Sequence, residues 1–466
     1  MSRSEAIPAE QESPLPLSQR ALTIGICTIT VSIAFEAIAV ATAMPVAAQD
    51  LHGIAYYAWA FSLFVIGMLL ATVLAGRVCD RIGPSRPLLF GLGVFVVGLV
   101  VAGTAETMVQ LVAGRFVQGL GGGALNTAMF VTVAKAYRPA QRPRVFTYIS
   151  TAWVLPSFVG PPVSAWLTSH LSWHWVFFTV IPLAVIGGAM VLPTVRVMMR
   201  IPMPELSEEA AGLRPAPVWA ALATAGAAAL LQLAGTRLDW WSVGLLVVAL
   251  VLLGLGLPRL MPPGFLRLGR GLPSVILARA LLPGAYFGGE AFLPLMLVEQ
   301  RHVPLLLAGG TLTVGAVGWT TGSFLQANRR LPLRRDQLIV VGCLNVAVGL
   351  ALAGVIAFVP SLPYALIAVA WVFAGLGMGF ATASTSLATI TLSSVEGQGR
   401  NGASLNLGDA LGSSIFVGLA GTIFGAVHPG GNLALTFGLV LLSMSVVAVL
   451  AMLASFRVGP VSDPVE

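Results

Sequence analysis

Charged residues are scarce in this sequence: they make up 9% of its 466 residues, whereas 57% are hydrophobic. A water-soluble globular protein carries about 25% charged residues, so the composition excludes that class. Cysteine is also scarce, and Cys27, Cys79 and Cys343 lie far apart in the chain. An odd number of isolated cysteines argues against a disulfide framework and against a cysteine-rich metal site.

The sequence also lacks the parts that bind and hydrolyse ATP. It contains no G-x-x-x-x-G-K-[ST] loop for phosphate and no polar segment long enough to form a nucleotide-hydrolysing domain. We therefore do not expect ATP to be the direct energy source, and we expect no cofactor.

Long apolar runs recur from one end of the chain to the other, and runs of 18 or more residues predict membrane-spanning helices. The first run is too long for a signal peptide, so we expect the N-terminus to be retained. The pattern predicts an all-α polytopic membrane protein with fourteen spans, at 21–48, 55–77, 87–105, 108–134, 145–169, 173–193, 216–236, 240–257, 272–298, 305–327, 337–358, 361–392, 402–427 and 431–456.

The distribution of basic residues predicts the orientation of these spans. The net charge is +7, and with both termini cytoplasmic only Arg237 and Arg301 fall in outward loops, while Arg115 lies within a helix. The other Lys and Arg residues gather on the cytoplasmic side, in clusters such as Arg77/Arg81/Arg86, Lys135/Arg138/Arg142/Arg144 and Arg329/Arg330/Arg334/Arg335. This is the positive-inside pattern, as in a bacterial cytoplasmic membrane. The basic excess therefore indicates topology, and we expect no nucleic-acid partner.

All five histidines fall in loops that this layout places outside: His52, His170, His174, His302 and His428. His170 and His174 have an i,i+4 spacing that suits a metal, but no third ligand is apparent, so we expect no metal site. Solvated loop residues are the simpler interpretation, and a pH-sensing role stays open because histidine titrates near neutral pH. With no histidine at membrane depth and no acidic pair on one helix face, we do not expect an intramembrane enzyme.

The glycine pattern indicates an internal repeat. The run GLGGG at 119–123 returns as GLGMG at 375–379, and SFVG at 157–160 returns as IFVG at 415–418. We predict two six-helix halves of the same fold, with chance similarity in a glycine-rich chain as the alternative. The predicted divisions are a cytoplasmic tail (1–20), an N-terminal bundle (21–193), a linker with two additional helices (194–271), a C-terminal bundle (272–456) and a second cytoplasmic tail (457–466).

Glu36 is the only charged residue between Arg20 and Asp50, inside the stretch FEAIAVATAMP at 35–45. A carboxylate at mid-membrane costs at least about 2.5 kcal/mol, so it is a candidate functional group. Removal from water favours its protonated form, and opening to water favours its ionised form. We expect Glu36 to load a proton from outside and to release it inside, with a structural hydrogen bond as the alternative.

Several short stretches, taken in order, resemble motifs of the major facilitator superfamily. The loop GRVCDRIG at 76–83 is similar to the signature G-x-x-x-D-R-x-G, and RFVQGLG at 115–121 to the helix-4 motif R-x-x-Q-G. Gly160-Pro161 resembles the core of the antiporter motif. Glu36 with Pro45 resembles the acidic first-helix motif of the fourteen-helix drug:proton antiporter branch, which also carries two central helices. The resemblance covers nearly the whole chain and implies a major facilitator fold.

The resemblance implies a gating role for the loop that contains Gly76, Asp80, Arg81 and Gly83. The matching aspartate of the family faces the N-terminus of a C-terminal helix, which here starts near Asn401, and a helix dipole favours a negative partner there. The family usually has two basic residues after the last glycine, whereas Pro84 and Ser85 stand here, which weakens the expected latch.

For the helix-4 motif of Arg115, Gln118 and Gly119, the resemblance implies a buried arginine that modulates protonation in the N-terminal half. A nearby cation stabilises a carboxylate, so coupling of Arg115 to Glu36 is the expected mechanism. The alternative is that Arg115 extends to the membrane interface. The glycines of this helix are expected to allow close helix packing.

The antiporter motif departs from the family pattern. Pro156 replaces its first glycine, and Ser164-Ala165 replace its final glycine pair, although Gly160 and Pro161 are kept. Small residues preserve close packing, and Pro161 is expected to add a kink by removing a backbone hydrogen bond. The direction of transport is therefore less firmly predicted than by a complete motif.

Two further acids lie at predicted membrane depth. Glu290 is on the first helix of the C-terminal half, beyond its midpoint, which leaves substrate or proton binding and an interfacial anchor both open. Asp409 lies inside the thirteenth span, and both a proton-coupling role and a polar contact with small neighbours stay open.

Parallel repeats with a site between them are a recurring design of secondary transporters. The apolar helices carry Met and Phe side chains, and Met-rich surfaces can repack around ligands of different shape. We predict proton-coupled efflux of amphipathic or hydrophobic drugs or toxic compounds by a monomer embedded in the lipid bilayer. The alternative is a proton-coupled importer, or an exporter dedicated to one metabolite, lipid or siderophore.

Overall fold

The computed structural model describes residues 17–138, 141–200, 217–236, 240–327, 333–394 and 397–461. Within these ranges the regular structure is helical, which confirms the predicted all-α class. The α-helices are α1 (Leu17–Asp50), α2 (Tyr57–Ile82), α3 (Ser85–Gly103), α4 (Met108–Ala136), α5 (Arg142–Thr151), α6 (Val154–His170), α7 (His174–Phe178), α8 (Val180–Met198), α9 (Val218–Thr236), α10 (Trp240–Leu260), α11 (Leu272–Glu299), α12 (Leu305–Ala327), α13 (Arg335–Phe358), α14 (Ala365–Thr391), α15 (Gln398–Val427) and α16 (Leu433–Ser455). Arg237, residues 1–16 of the first predicted tail and residues 462–466 of the second lie outside the described residues.

Eleven segments of the described chain are long and apolar enough to cross a membrane. They include α1–α3, α7 with α8, α9–α11 and α13–α16, so the protein is a multi-pass membrane protein. The glycine-rich helices α4 and α12 and the short helix α6 are not among the eleven. The count of fourteen spans, and the cytoplasmic location of both termini, therefore stay predictions.

Corresponding helices pack in the same way in α1–α8, which we call the N-terminal half, and in α11–α16, the C-terminal half. Helix α4 packs against α2 and α3, and α14 packs against α12 and α13. A Cβ atom at Gly119 would meet the Phe64 carbonyl of α2, and one at Gly375 would meet the Gly315 carbonyl of α12. The glycine runs thus allow backbones to touch, as small residues do between membrane helices.

The fifth predicted span is interrupted at Ala152–Trp153, between α5 and α6. Pro156 accounts for this break, because a proline lacks an N–H donor and its ring clashes with the carbonyl four residues earlier, here that of Ala152. Helix α6 then runs through Gly160 and Pro161 without a second interruption.

The central helices α9 and α10 lie at the side of the bundle. Helix α9 packs against α2 and α15, and its Gln232 side-chain oxygen accepts a hydrogen bond from Ser62 of α2. Helix α10 packs on α9 and is the least buried of the eleven candidate spans. Its Trp240 and Trp241 are largely exposed and stack on each other, as expected for residues at a membrane interface.

The two halves touch at the ends that the predicted topology places outside. The Tyr57 hydroxyl of α2 donates to the Ala291 carbonyl of α11 at 2.7 Å, and Gln49 Nε2 of α1 donates to Glu299 Oε1 at 3.2 Å. These two hydrogen bonds hold the halves together at one end of the bundle.

Candidate functional site

Glu36 lies near the middle of α1 and is completely buried. Its Oε1 atom forms an ion pair with Arg115 Nη1 of α4, although 79 residues separate the two in sequence. Its other oxygen, Oε2, is buried and has no hydrogen-bond partner among the described residues. A carboxylate with one satisfied and one unsatisfied oxygen retains a free acceptor position, to which a proton can bind.

Arg115 is buried, with a side-chain exposure of 2%, so the interfacial alternative does not hold. Besides the ion pair, Arg115 Nε donates to the Ala60 carbonyl at 3.0 Å, and Nη1 donates to Gln118 Oε1 at 2.9 Å. The guanidinium also lies over the Phe64 ring, 4.3 Å from its centroid. These neutral partners stabilise the cation independently of Glu36.

The residues of the antiporter motif pack against α1 next to Glu36. A Cβ at Gly160 would lie 3.4 Å from Ile38 Cγ2, and Ser164 Oγ donates to the Ala39 carbonyl at 2.6 Å. Pro161 also packs at Gly309 of α12, together with Thr42 of α1. Helix α6 therefore connects the segment that carries Glu36 with the C-terminal half.

The predicted gating loop follows α2. Gly83 has a φ of 82°, in the left-handed region that glycine adopts without strain, which explains the last glycine of the motif. Asp80 and Arg81 are exposed at the end of α2. The Asn401 side chain donates to Ser393 Oγ at 2.8 Å, so it is engaged within the C-terminal half. The latch between Asp80 and α15 stays a prediction.

Asp409 does not rest on small neighbours but forms an ion pair with Arg279. Arg279 Nε and Nη2 reach the two carboxylate oxygens at 2.7 Å each. Arg279 Nη1 also donates to the Thr382 carbonyl at 2.7 Å and to Thr385 Oγ1 at 3.1 Å. Sequence reasoning had grouped Arg279 with the cytoplasmic residues, although it lies inside the predicted span 272–298. Its position within an apolar run was the signal that could have identified it.

Glu290 lies on the same face of α11 as Tyr286, one turn earlier, and the Tyr286 hydroxyl interacts with its carboxyl group. The Tyr286 ring stacks on Trp371 of α14, with centroids 5.1 Å apart, and meets Trp319 of α12 edge-on at 5.7 Å. Phe287 lies beside Trp319 at 6.4 Å. Glu290 thus borders a group of four aromatic rings and is itself partly exposed.

The histidines form no metal site with Cys, Asp or Glu in the part of the chain that the structure describes. His170 Nδ1 lies 3.0 Å from the Trp166 carbonyl, and His174 stacks on Trp173. His428 Nε2 lies 3.8 Å from Glu299 Oε2, next to the contact between the halves.

Comparisons with known proteins agree with this architecture. The chain is 33% identical over 148 residues to Multidrug resistance protein 3 of Bacillus subtilis, which covers 32% of this chain and 29% of that protein. It is 24% identical over 433 residues to a probable multidrug-efflux transporter of Mycobacterium tuberculosis, which covers 89% of both. An uncharacterized MFS-type transporter of Mycobacterium tuberculosis is 28% identical over 316 residues, 66% of this chain. The chain spans 29% and 43% of the length of the first and third of these curated relatives.

Solved structures share the fold at low identity. A POT family transporter in complex with a thioalcohol-conjugated peptide has a TM-score of 0.68 at 13% identity, over 95% of this chain and 97% of that one. A bacterial homolog of the human lysosomal transporter Spinster, in an inward-facing and unoccupied conformation, has a TM-score of 0.63 at 14% identity, over 96% and 98%.

Both Mycobacterium tuberculosis relatives are named as transporters, in agreement with the prediction that the chain is not an enzyme. The profile described as Major Facilitator Superfamily matches residues 24–417, which is most of the chain. The chain therefore belongs to the Major Facilitator Superfamily.

Proposed function

We propose that this protein is a proton-coupled antiporter that exports amphipathic or hydrophobic compounds from the cytoplasm. The observation that carries the proposal is the completely buried Glu36, which is paired through one oxygen with Arg115 and unsatisfied at the other. The name of one Mycobacterium tuberculosis relative, a probable multidrug-efflux transporter, supports the direction of transport.

In this mechanism Glu36 alternates between an ion pair and a neutral acid. When Glu36 takes up a proton, the cation of Arg115 loses its counter-ion but keeps the Ala60 carbonyl, the Gln118 side chain and the Phe64 ring. The cost of leaving a buried charge unpaired is thereby reduced. Protonation weakens the bond between α1 and α4, and this change favours a different arrangement of the N-terminal half.

Helix α6 is the proposed route by which this change reaches the other half. It touches α1 at Ile38 and Ala39, close to Glu36, and it touches α12 at Gly309. A shift of α1 relative to α4 would therefore alter the contact between α6 and α12 at Gly309. We propose that Asp80 and Arg81 close the cytoplasmic side in the opposite conformation.

The energy released when one proton crosses the membrane is sufficient to drive export of the compound. One charge that crosses about 150 mV releases about 3.5 kcal/mol. Because a tenfold concentration ratio is equal to about 1.4 kcal/mol, one proton sustains a gradient of roughly two to three decades for a neutral solute. We further propose a bacterial cytoplasmic membrane, fourteen spans with both termini inside, and a monomer built from the two predicted six-helix bundles.

The test is transport by the purified protein in proteoliposomes with an imposed pH gradient and a fluorescent amphipathic dye. We expect Glu36→Gln to abolish gradient-driven transport while facilitated exchange of dye persists. The matched control is Glu106→Gln, the same substitution on an exposed residue between α3 and α4, which leaves transport unchanged. Unchanged gradient-driven transport by Glu36→Gln would remove Glu36 from this role, and dye uptake toward the cytoplasmic side would favour the importer alternative.

A further inference from the structure

Gln232 of the central helix α9 is a buried polar side chain that touches both halves of the protein. Its Oε1 atom accepts a hydrogen bond from Ser62 Oγ of α2, in the N-terminal half. On the C-terminal side, a Cβ atom at Gly418 of α15 would lie 3.4 Å from the Gln232 Cβ and 3.6 Å from its Oε1. The Gln232 side chain is 4% exposed. It therefore lies where α2 and α15 meet α9.

Small residues bring these three helices into close contact around Gln232. A Cβ atom at Gly421 of α15 would meet the Ala58 Cβ of α2, and one at Gly235 of α9 would meet the Thr422 side chain of α15. Small residues allow membrane helices to approach in this way. We call the contact between the three helices the seam, and it is formed by Ala58, Ser62, Gln232, Gly235, Gly418, Gly421 and Thr422.

The seam lies at the end of the bundle where hydrogen bonds join the halves. Tyr57, which donates to the Ala291 carbonyl of α11, is the neighbour of Ala58 in sequence. Ser62 follows on the same helix, about 7.5 Å along its axis from Tyr57. Because α2 belongs to one half and α15 to the other, a movement that separates the halves at this end also opens the seam.

Only one end of the Gln232 amide has a hydrogen-bond partner in the closed seam. Its Nε2 atom is buried and has no partner among the described residues. Ser62 does not depend on Gln232, because its hydroxyl also lies 3.0 Å from the Ala58 carbonyl. A buried donor without a partner is costly, and an apolar group of the same shape can be neutral or stabilising in its place. The amide therefore makes the closed seam less stable than an apolar side chain would.

We propose that Gln232 is a positioning residue that sets the equilibrium between the closed and the open seam by destabilising the closed one. When α2 and α15 separate, water reaches the amide and hydrogen-bonds to both of its ends. This gain offsets part of the packing that is lost, so the open state becomes accessible. The central helices thereby control the conformational equilibrium of the two halves. The role goes beyond the proposed function, because it does not depend on protons, on the compound or on the direction of transport.

The first measurement is thermal unfolding of the purified full chain. Gln232→Met replaces the amide with an apolar side chain of similar shape, so we expect the midpoint to rise by about 1–3 °C. Ser62→Ala leaves both ends of the amide unpaired, so we expect the midpoint to fall. If the Gln232 contact served only to hold the helices together, both substitutions would lower the midpoint. A lower midpoint in Gln232→Met would therefore overturn the proposal.

The second measurement is the distance between spin labels near the start of α2 and the start of α12, in a background without native cysteines. Ser62→Ala should increase the population of long distances, because the closed seam then contains an amide with no partner. Addition of Gln232→Met to Ser62→Ala should lower the ratio of long to short distances by about tenfold, which is equal to about 1.4 kcal/mol. An equal or higher ratio in the double variant would overturn the proposal, even if the midpoint of Gln232→Met rises.

Two controls show whether the effect belongs to the seam. Thr224 lies on the same helix, but its hydroxyl donates to the Ala220 carbonyl of α9 at 2.6 Å, and it packs at Gly256 of α10. Thr224→Val should leave the distance distribution unchanged. The response to Gln232→Met should also persist in the Glu36→Gln background, since it uses no proton. Loss of the response in that background would contradict the independence from proton coupling.

Discussion

Arg115 of α4 reaches Glu36 of α1 inside the N-terminal half, and both side chains are sealed from solvent. The pair connects two motifs that are far apart in sequence. Because a buried charge without its partner is strongly destabilising, each residue explains why the other is tolerated at membrane depth.

Replacing one partner of the pair should therefore reduce the free energy of unfolding more than replacing both. We expect Arg115→Gln to reduce the free energy of unfolding by about 3–5 kcal/mol, because ionised Glu36 loses its cation. The double variant with Glu36→Gln should recover most of this stability while it remains unable to couple transport to protons. Thermal unfolding in detergent measures the first effect. Equal stability of the single and double variants would contradict the ion pair.

For the Arg279–Asp409 pair, a single substitution should also reduce stability more than the double substitution, but the loss should be smaller. Its side chains are 14% and 27% exposed, so water screens part of the interaction. We expect Asp409→Asn to destabilise the protein by about 1–2 kcal/mol and the double variant with Arg279→Gln to recover part of the loss. The control is Asp336→Asn, whose partner Arg334 is exposed, with an expected change below about 1 kcal/mol. A larger effect at Asp336 than at Asp409 would contradict this ranking.

Two glycines of the run at 119–123 should differ sharply in their tolerance of a methyl group. A Cβ at Gly119 would meet the backbone carbonyl of Phe64, which cannot move without moving α2, whereas the space at Gly122 is open to 4 Å. We expect Gly119→Ala to lower the midpoint of thermal unfolding by several degrees, since overpacking costs about 1–3 kcal/mol. Gly122→Ala should leave it unchanged. Similar behaviour of the two variants would refute the close approach of α2 and α4.

The outer closure should depend on the Tyr57 hydroxyl. Tyr57→Phe removes its 2.7 Å hydrogen bond to the Ala291 carbonyl, which destabilises the closed state by about 0.5–1.5 kcal/mol. Spin labels on the outer ends of α2 and α12 should then show a larger population of long distances. The neighbouring Tyr56 provides the control, because its side chain is exposed. An unchanged distance distribution in Tyr57→Phe would contradict this role.

The functional residues that could be predicted from the sequence are those that differ in charge from their apolar neighbours or belong to a short motif. Glu36 is a single acid in an apolar run, and the R-x-x-Q-G motif led to Arg115 as its expected partner. The pairing of Asp409 with Arg279 was missed, because a basic residue only seven positions from the start of α11 was taken as part of the cytoplasmic cluster. The break at Ala152–Trp153 was also missed, although the responsible Pro156 was recognised.

The surroundings of Glu290 lay beyond the reach of sequence patterns. Trp319 and Trp371 come from α12 and α14, and only the packing of three helices brings their rings to Tyr286. Hydrophobic periodicity predicts which segments are helices, but it does not state which faces meet inside a bundle that is apolar on all sides.

The central claim is that Glu36 gains and loses a proton as the protein changes conformation. Infrared difference spectroscopy of reconstituted protein, between the inward-facing and outward-facing states, observes the C=O stretch of a protonated carboxyl group directly. We predict a band that disappears in Glu36→Gln, persists in Glu106→Gln and shifts in Glu36→Asp. A difference spectrum that is identical in the wild type and in Glu36→Gln would contradict the account.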